Sequence, residues 1–334
     1  MERIAFIGET GFVYWSPIIL ALAAVAAIAF YAALYIRKEG NPVALFLSIL
    51  LSVGGGIPLS RLIHWYHRTD AYASLAAAMT DYSGGGFALY GVFFACLAAA
   101  CLLRLLRISR NLPGMLDCMA MGGGVGIAVG RMASLFNSSD RGMHLPETVG
   151  LPFAWPMVNA VSGASENRLA TFMIQNMVTG LIVALLGAYM FWAAAKKKKI
   201  PQGDIFLIFI MAYGASQIIC DSTRYDSLYL RSNGFVSIVQ ILGLVALVLP
   251  IIYFSVRTVK QSGFKGWYVA MWIGQLALIG LTGFMEYFVQ RRGHEAPLVY
   301  STMTVCLLGV LAMTLLLRRI GTAKAEPAPA AEEG

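Results

Sequence analysis

Residues 15–36 read WSPIILALAAVAAIAFYAALYI, a run without a charged side chain that is long enough to cross a membrane as a helix. About 20 apolar residues span the roughly 30 Å hydrocarbon core of a bilayer. The chain has 334 residues, of which 58% are hydrophobic and only 13% are charged, whereas soluble domains carry about 25% charged residues. The composition therefore excludes an ordinary soluble enzyme and indicates an integral membrane protein.

Apolar runs of this kind recur along the whole chain. The fold class predicted from them is an all-α, polytopic helical membrane protein with about nine transmembrane helices. The predicted spans lie near 15–36, 43–65, 86–106, 114–136, 169–194, 203–221, 236–256, 267–290 and 298–317. The stretch 70–83 is too short and too polar at its ends to cross, and it is predicted to form an interfacial helix.

Basic residues indicate the orientation of these spans, because cytoplasmic loops accumulate Lys and Arg. The odd-numbered spans all end in basic segments, such as residues 37–38 and 196–199. The N-terminus is therefore predicted to lie outside and the C-terminus in the cytoplasm. Since this topology accounts for the formal charge of +8 and no soluble basic domain exists, no nucleic-acid partner is expected.

Two arginines, Arg61 and Arg131, lie near the predicted outer ends of spans two and four. A charge inside the membrane costs about 2.5–3.5 kcal/mol on insertion scales, although a long side chain can also reach the interface. Two arginines at similar depth favour a site for an anion such as a lipid phosphate, which a guanidinium binds in a bidentate manner. Nearby glycines, such as residues 84–86, suit either close approach of a ligand or tight helix packing.

Other polar side chains lie at the same predicted level, in the loops where a rigid bundle positions functional groups. Asp221 and Arg224 are three residues apart, a spacing that also suits a purely structural pair on one helix face. The four histidines and five cysteines show neither HExxH nor CxxC spacing, so no metal and no cofactor are expected. Paired broken helices of a small-solute transporter are not evident.

The order of these motifs resembles that of the bacterial prolipoprotein diacylglyceryl transferase family over roughly residues 12–257. The family segment GRxGNFxNxExxG is similar to residues 130–142, which read GRMASLFNSSDRG. Arg131, Asn137 and Gly142 keep the pattern. The resemblance implies seven spans with the N-terminus outside, and it leaves spans eight and nine unaccounted for.

Shorter segments extend the resemblance. The family element GGxxx(H/Y)GG looks like residues 85–91, and YGxxRxxxExxR looks like residues 213–224, YGASQIICDSTR. A family arginine on the second span looks like Arg61, and a family glutamine looks like Gln240.

Several family positions carry a different residue here. Ser134 stands where the family has its first Asn, and Ser139 where it has Glu, with Asp140 one step away. Gln175 replaces a Glu in the family's RHPxxLYE segment, and Gln217 stands in for an arginine usually tied to the reaction. These substitutions leave an alternative, a divergent non-catalytic phospholipid-binding or accessory membrane protein of the same fold.

The resemblance implies an enzyme that moves a diacylglyceryl group from phosphatidylglycerol to the lipobox cysteine of a prolipoprotein, and that releases glycerol phosphate. Its partners would be phosphatidylglycerol, the lipobox peptide and the bilayer, at the outer face of the bacterial cytoplasmic (inner) membrane. The expected catalytic residues are Arg131, which the resemblance implies stabilises the leaving phosphate, and three candidates for the general base by location, Tyr90, Asp140 and Asp221. The implied substrate-binding residues are Arg61, Gly85, Gly86, Asn137, Gly142, Tyr213, Arg224 and Gln240.

The chain is accordingly predicted to have three parts. Residues 1–257 form a seven-helix membrane domain like that of the transferase family, with an extracytoplasmic loop at 137–168. Residues 258–320 add two transmembrane helices. Residues 321–334 are rich in Ala, Pro and Glu and form a disordered tail.

Overall fold

The computed structural model describes residues 4–8, 11–81, 86–137, 139–146, 153–158, 163–230, 233–292 and 296–323. Its helices are α1 (Trp15–Arg37), α2 (Pro42–His67), α3 (Leu75–Thr80), α4 (Leu89–Leu105), α5 (Leu112–Arg131), α6 (Thr171–Ala195), α7 (Asp204–Ser222), α8 (Ile238–Ser262), α9 (Gly266–Arg292) and α10 (Ala296–Ala323). Its strands are β1 (Ile4–Gly8), β2 (Gly11–Tyr14), β3 (Ala154–Val158), β4 (Ser165–Leu169), β5 (Tyr229–Leu230) and β6 (Asn233–Ser237).

The nine predicted spans are all helices, and the chain is a polytopic helical membrane protein. Eight of the helices are long and apolar enough to cross a membrane, and α4 is a shorter apolar helix of 17 residues. Within the predicted interfacial stretch the short helix α3 forms. The orientation of the spans stays a prediction, and residues 324–334 of the predicted tail lie outside the described residues.

Local signals in the sequence place several helix ends. Asn41 accepts a hydrogen bond from the backbone N–H of Val43 and precedes Pro42 at the first turn of α2, which is a favoured way to begin a helix. The acid Asp117 of α5 accepts hydrogen bonds from the backbone N–H groups of Gly203 and Phe206 at 2.9 Å each. A side chain of α5 therefore satisfies free N–H groups at the start of α7.

The chain divides into two compact units. The first comprises Met1–Phe209 and Thr223–Val239, and the second comprises Ile210–Ser222 and Gln240–Gly334. In the first unit α1 packs on α5, α2 on α4, and α5 on α6. The second unit has its own core of apolar side chains from α7, α8 and α10. The division after residue 257 that the sequence predicts stays a prediction. The boundaries between the two packed units fall after residues 209, 222 and 239.

The polar loop 137–168 contains regular structure that positions the candidate site. Strands β3 and β4 pair antiparallel from Ala154 opposite Leu169 to Val158 opposite Ser165. The loop is also tied back to itself, because the N–H of Gly142 donates to the carbonyl of Leu169 at 2.8 Å. An isolated antiparallel bridge then joins Gly142 to Arg224, beyond the end of α7.

Candidate active site

A carboxylate flanked by two guanidinium groups lies just beyond the end of α5. Arg131 Nη1 lies 2.8 Å from Asp140 Oδ2, and Arg224 Nη2 lies 2.8 Å from Asp140 Oδ1. The hydroxyl of Ser134 donates to Asp140 Oδ2 at 3.0 Å. Arg131, Ser134 and Arg224 thus converge on the side chain of Asp140. All three belong to the two segments, 130–142 and 213–224, that carry the family resemblance.

The backbone of Asp140 explains how this carboxylate reaches the arginines. Asp140 has φ of 58°, in the left-handed region that is uncommon for residues other than Gly and that Asp and Asn tolerate best. Its N–H donates to Asp226 Oδ2 at 3.0 Å, and its carbonyl accepts from the N–H of Phe172 at 3.1 Å. These bonds hold Asp140 in the conformation in which its carboxylate meets the two arginines.

The electrostatics of this cluster favour an ionised carboxylate. Burial opposes ionisation of Asp140, but the charges of Arg131 and Arg224 outweigh it and hold the pKa of the carboxyl well below its usual value. Asp226 Oδ1 accepts a further bond from Arg224 Nε at 2.9 Å. The carboxylates of Asp140 and Asp226 thereby offset the repulsion between the two guanidinium groups.

Arg141 and Asn137 brace the loop that carries Asp140. Arg141 Nη2 donates to the carbonyls of Ser134 and Asn137 at 2.8 Å each, and its guanidinium lies over the ring of Phe172 at 4.5 Å. Asn137 donates from Nδ2 to the hydroxyl of Ser16 at 3.0 Å and accepts from the N–H of Ser139 at 2.9 Å. The amide of Asn137 therefore joins the loop to the start of α1.

Gly142 is required by close packing at this point. A Cβ on Gly142 would lie 2.5 Å from Thr171 Oγ1 and 2.7 Å from Leu169 Cβ, too near for any side chain. The hydroxyl of Thr171 is in turn hydrogen-bonded to that of Thr223 at 2.9 Å. The position therefore joins the loop, the start of α6 and the segment after α7.

Arg61 lies in a second cluster of the first unit, and it is 1% exposed. Its Nε donates to the carbonyl of Ala78 at 2.7 Å, its Nη1 to the carbonyl of Gly86 at 3.0 Å, and its Nη2 to the carbonyl of Asp81. Tyr72 also contacts this guanidinium, at 3.3 Å through its hydroxyl. Through these contacts Arg61 joins α3 to the segment before α4, and its predicted contact with phosphate stays a prediction.

The glycine element before α4 is only partly described. Gly85 lies outside the described residues. Gly86 has φ of +80°, and a Cβ there would lie 2.3 Å from the hydroxyl of Tyr72. Tyr90 lies in the first turn of α4, half-buried, with its ring edge-on to that of Phe94.

The remaining predicted residues, Tyr213, Asp221 and Gln240, belong to the second unit. Asp221 and Gln240 are buried there. The alternative of a structural pair on one helix face does not hold for Asp221 and Arg224, because α7 ends at Ser222 and Arg224 lies beyond it in the bridge to Gly142.

Sequence reasoning missed two members of the cluster, Asp226 and Arg141. The only available signal for Asp226 is its place in the polar segment 222–235, two residues after Arg224. Arg141 stands at a variable position of the family pattern. Its role depends on carbonyls that only the folded loop brings near it.

Comparison with known proteins points to one family, that of the prolipoprotein diacylglyceryl transferases. The profile of the prolipoprotein diacylglyceryl transferase family matches residues 4–256. A phosphatidylglycerol–prolipoprotein diacylglyceryl transferase of Nostoc sp. is 27% identical over 234 residues, 69% of this chain and 81% of its own. Proteins of the same name from Finegoldia magna and Dehalococcoides mccartyi are 24% and 23% identical, and each alignment covers 78% of this chain. These two alignments cover 99% and 96% of the relatives themselves.

Proposed function

The chain belongs to the prolipoprotein diacylglyceryl transferase family, and we propose that it transfers a diacylglyceryl group from phosphatidylglycerol to the lipobox cysteine of prolipoproteins. The reaction would occur at the outer face of the bacterial cytoplasmic membrane, where the sequence predicts the ends of α5 and α7. The observation that carries this proposal is the pairing of Arg131 and Arg224 through Asp140. It holds two guanidinium groups, each with five N–H donors, at the predicted level of the lipid headgroups.

The charge distribution suits the proposed chemistry. The thiolate sulfur forms a bond to the glyceryl carbon that carries the phosphate ester, while the bond from that carbon to the phosphate oxygen breaks. The electron pair leaves with glycerol phosphate. Preorganised guanidinium groups stabilise such a developing anion without reorganising during the reaction. Arg131 and Arg224 would contact the phosphate, and Asn137 and Gly142 would hold the loop that presents Asp140.

The roles of the acids differ in this proposal. A carboxyl whose pKa lies well below its usual value is a weak base near neutral pH, so Asp140 holds the two arginines in place instead of accepting the thiol proton. Tyr90 and Asp221 stay candidates for the base. A guanidinium group near an incoming cysteine would lower the pKa of its thiol and raise its thiolate fraction.

The remaining predicted residues would bind substrate. Tyr213 and Gln240 lie on the helices that follow the family's pattern in the second unit. For Gly85 and Gly86 this proposal rests on the family resemblance. Arg61 would hold this glycine segment through the carbonyl of Gly86.

Purified protein in phosphatidylglycerol-containing nanodiscs should convert a lipobox-cysteine peptide into its thioether-linked diacylglyceryl form, which mass spectrometry detects. Arg131→Ala should abolish the product, while Arg104→Ala, at the exposed end of α4, should leave it. If the wild-type protein binds labelled phosphatidylglycerol but forms no thioether, the transferase is excluded in favour of a non-catalytic lipid-binding relative.

A further inference from the structure

The turn between α4 and α5 carries three arginines around an open recess. The recess has a volume of about 620 Å³ and is lined by Arg104, Leu105, Arg107 and Arg110. It lies at the start of α5, whereas the candidate active site lies beyond Arg131 at the end of the same helix. The 20 residues of α5 rise about 30 Å. The arginine recess is therefore separate from the candidate active site.

The backbone of this turn is held in place on both sides. The N–H groups of Ile108 and Ser109 donate to the carbonyl of Leu103 at 3.0 and 3.1 Å, and these bonds close the end of α4. Asn41 Nδ2, at the start of α2, donates to the carbonyl of Ile108 at 3.2 Å. The turn thus presents its side chains from a fixed backbone.

The guanidinium groups around the recess have no acidic partner among the described residues. The sequence contains no Asp or Glu between Asp81 and Asp117. Arg104 Nη1 donates to the carbonyl of Arg110 at 3.0 Å, which closes the turn further. Within the part of the chain that the structure describes, the exposed side chains of Arg107 and Arg110 form no ion pair and no hydrogen bond. Each offers five N–H donors in a planar fork, which suits a phosphate.

Apolar side chains lie directly beside these charges. Leu105 is 79% exposed and Leu106 is 56% exposed. The 17 residues of α4 rise about 25 Å, less than the roughly 30 Å of the hydrocarbon core. The arginines that follow α4 therefore stay close to the lipid headgroups, with the leucines towards the acyl chains. A ligand that fits both sets of side chains has an anionic head and an apolar tail.

We propose that the arginine recess binds an anionic phospholipid, whose phosphate accepts hydrogen bonds from Arg107 and Arg110 and whose acyl chain lies along Leu105 and Leu106. The sequence predicts that this end of α4 faces the cytoplasm, where basic pockets bind anionic headgroups. The bound lipid would then belong to the leaflet opposite that of the proposed substrate. This proposal is independent of catalysis, because a non-catalytic protein of the same fold would carry the same recess.

Photolabelling of the full chain tests the proposal. The protein is placed in phosphatidylcholine nanodiscs that contain increasing fractions of phosphatidylglycerol with a diazirine in its acyl chain. Mass spectrometry of peptides then measures the label on Leu105 in excess of that on Leu185, a lipid-exposed residue of α6. In Arg107→Gln/Arg110→Gln, the lipid fraction that gives half of the maximal excess label should rise about 10-fold or more, because hydrogen bonds to a charged phosphate are lost.

Two variants separate this site from a general effect of charge or of misfolding. Lys196→Gln/Lys199→Gln removes two exposed charges after α6, on the same predicted side, and should keep the wild-type half-saturating fraction. Arg107→Gly removes one guanidinium at a residue with φ of 60°, a backbone conformation that glycine adopts without strain. It should keep or raise the melting temperature and still raise the half-saturating fraction.

The source of the phosphate is tested in the same samples. Inorganic phosphate added at constant ionic strength should leave the labelling of the wild type unchanged, because it has no acyl chain to contact the leucines. Displacement of the label by inorganic phosphate would show a site for a soluble anion and overturn the lipid assignment. The proposal is equally excluded by equal shifts in the arginine and lysine double variants, by wild-type labelling without Arg107 and Arg110, or by the same excess label from diazirine phosphatidylcholine.

Discussion

The shared carboxylate of Asp140 predicts strong energetic coupling between residues 140 and 224. The two side chains are 12% and 15% exposed and lie 2.8 Å apart. Removing one partner of a buried ion pair costs about 3–5 kcal/mol, because the other charge stays buried without its partner. Asp140→Asn removes the carboxylate that Arg131 and Arg224 share, although Arg224 keeps its contact with Asp226 at 2.9 Å. Arg224→Gln should therefore cost much less in the Asp140→Asn protein than in the wild type.

A double-mutant cycle measures this coupling. We expect Asp140→Asn and Arg224→Gln to be coupled by about 1–3 kcal/mol, in the free energy of unfolding from denaturant titration in mixed micelles. The matched control is the pair Glu166 and Arg168, which lies 3.0 Å apart with side chains 22% and 21% exposed. A pair of this kind is worth about 0–1 kcal/mol. Additive costs at residues 140 and 224, or coupling no larger than in the control pair, would refute the reasoning.

Three further outcomes are expected. The pKa of Asp140 is lowered in the folded protein. The ionised carboxylate therefore stabilises the fold fully above the unfolded-state pKa of about 3.9, and this stabilisation is lost as the pH falls below that value. Acid titration should destabilise the wild-type protein more than the Asp140→Asn variant. Gly142→Ala should lower the free energy of unfolding by about 1–3 kcal/mol and reduce transfer, because the new Cβ meets Thr171. Gly180→Ala should do neither, because a Cβ there meets nothing within 4 Å. Arg61→Lys should lower the melting temperature, because one ammonium cannot reach the carbonyls that the guanidinium bonds.

The fold could be predicted from the sequence because each span is a local property of the chain. Apolar runs of sufficient length must form helices in a membrane, where every backbone group has to be bonded internally. All nine spans follow from this rule. The β3–β4 hairpin could not be predicted in the same way, because each strand has only five residues and depends on pairing with the other.

The candidate site could be predicted only in part. Arg131, Asn137 and Gly142 are marked by one continuous motif, and the structure brings Arg131, Asp140 and Arg224 together. The motif alone does not show that the carboxylate of Asp140 meets Arg131 and Arg224, because that contact depends on the fold of the loop and on a left-handed backbone at Asp140. The sequence predicts a phosphate contact for Arg61. It does not show that the guanidinium donates to backbone carbonyls, because only the fold brings those carbonyls near it.

The shared core of the second unit limits how the chain can be shortened. A cut after residue 257, close to the end of the family match at residue 256, separates Met211 and Leu247 from Met303 and Leu307. The apolar side chains of α7 and α8 that pack on α10 would then meet lipid, and the amide of Gln240 would lose its hydrogen bond to Glu286, in a medium where a lost polar contact is costly. Expression trials and homologue grafting should therefore keep residues 210–222 and 240–323 together.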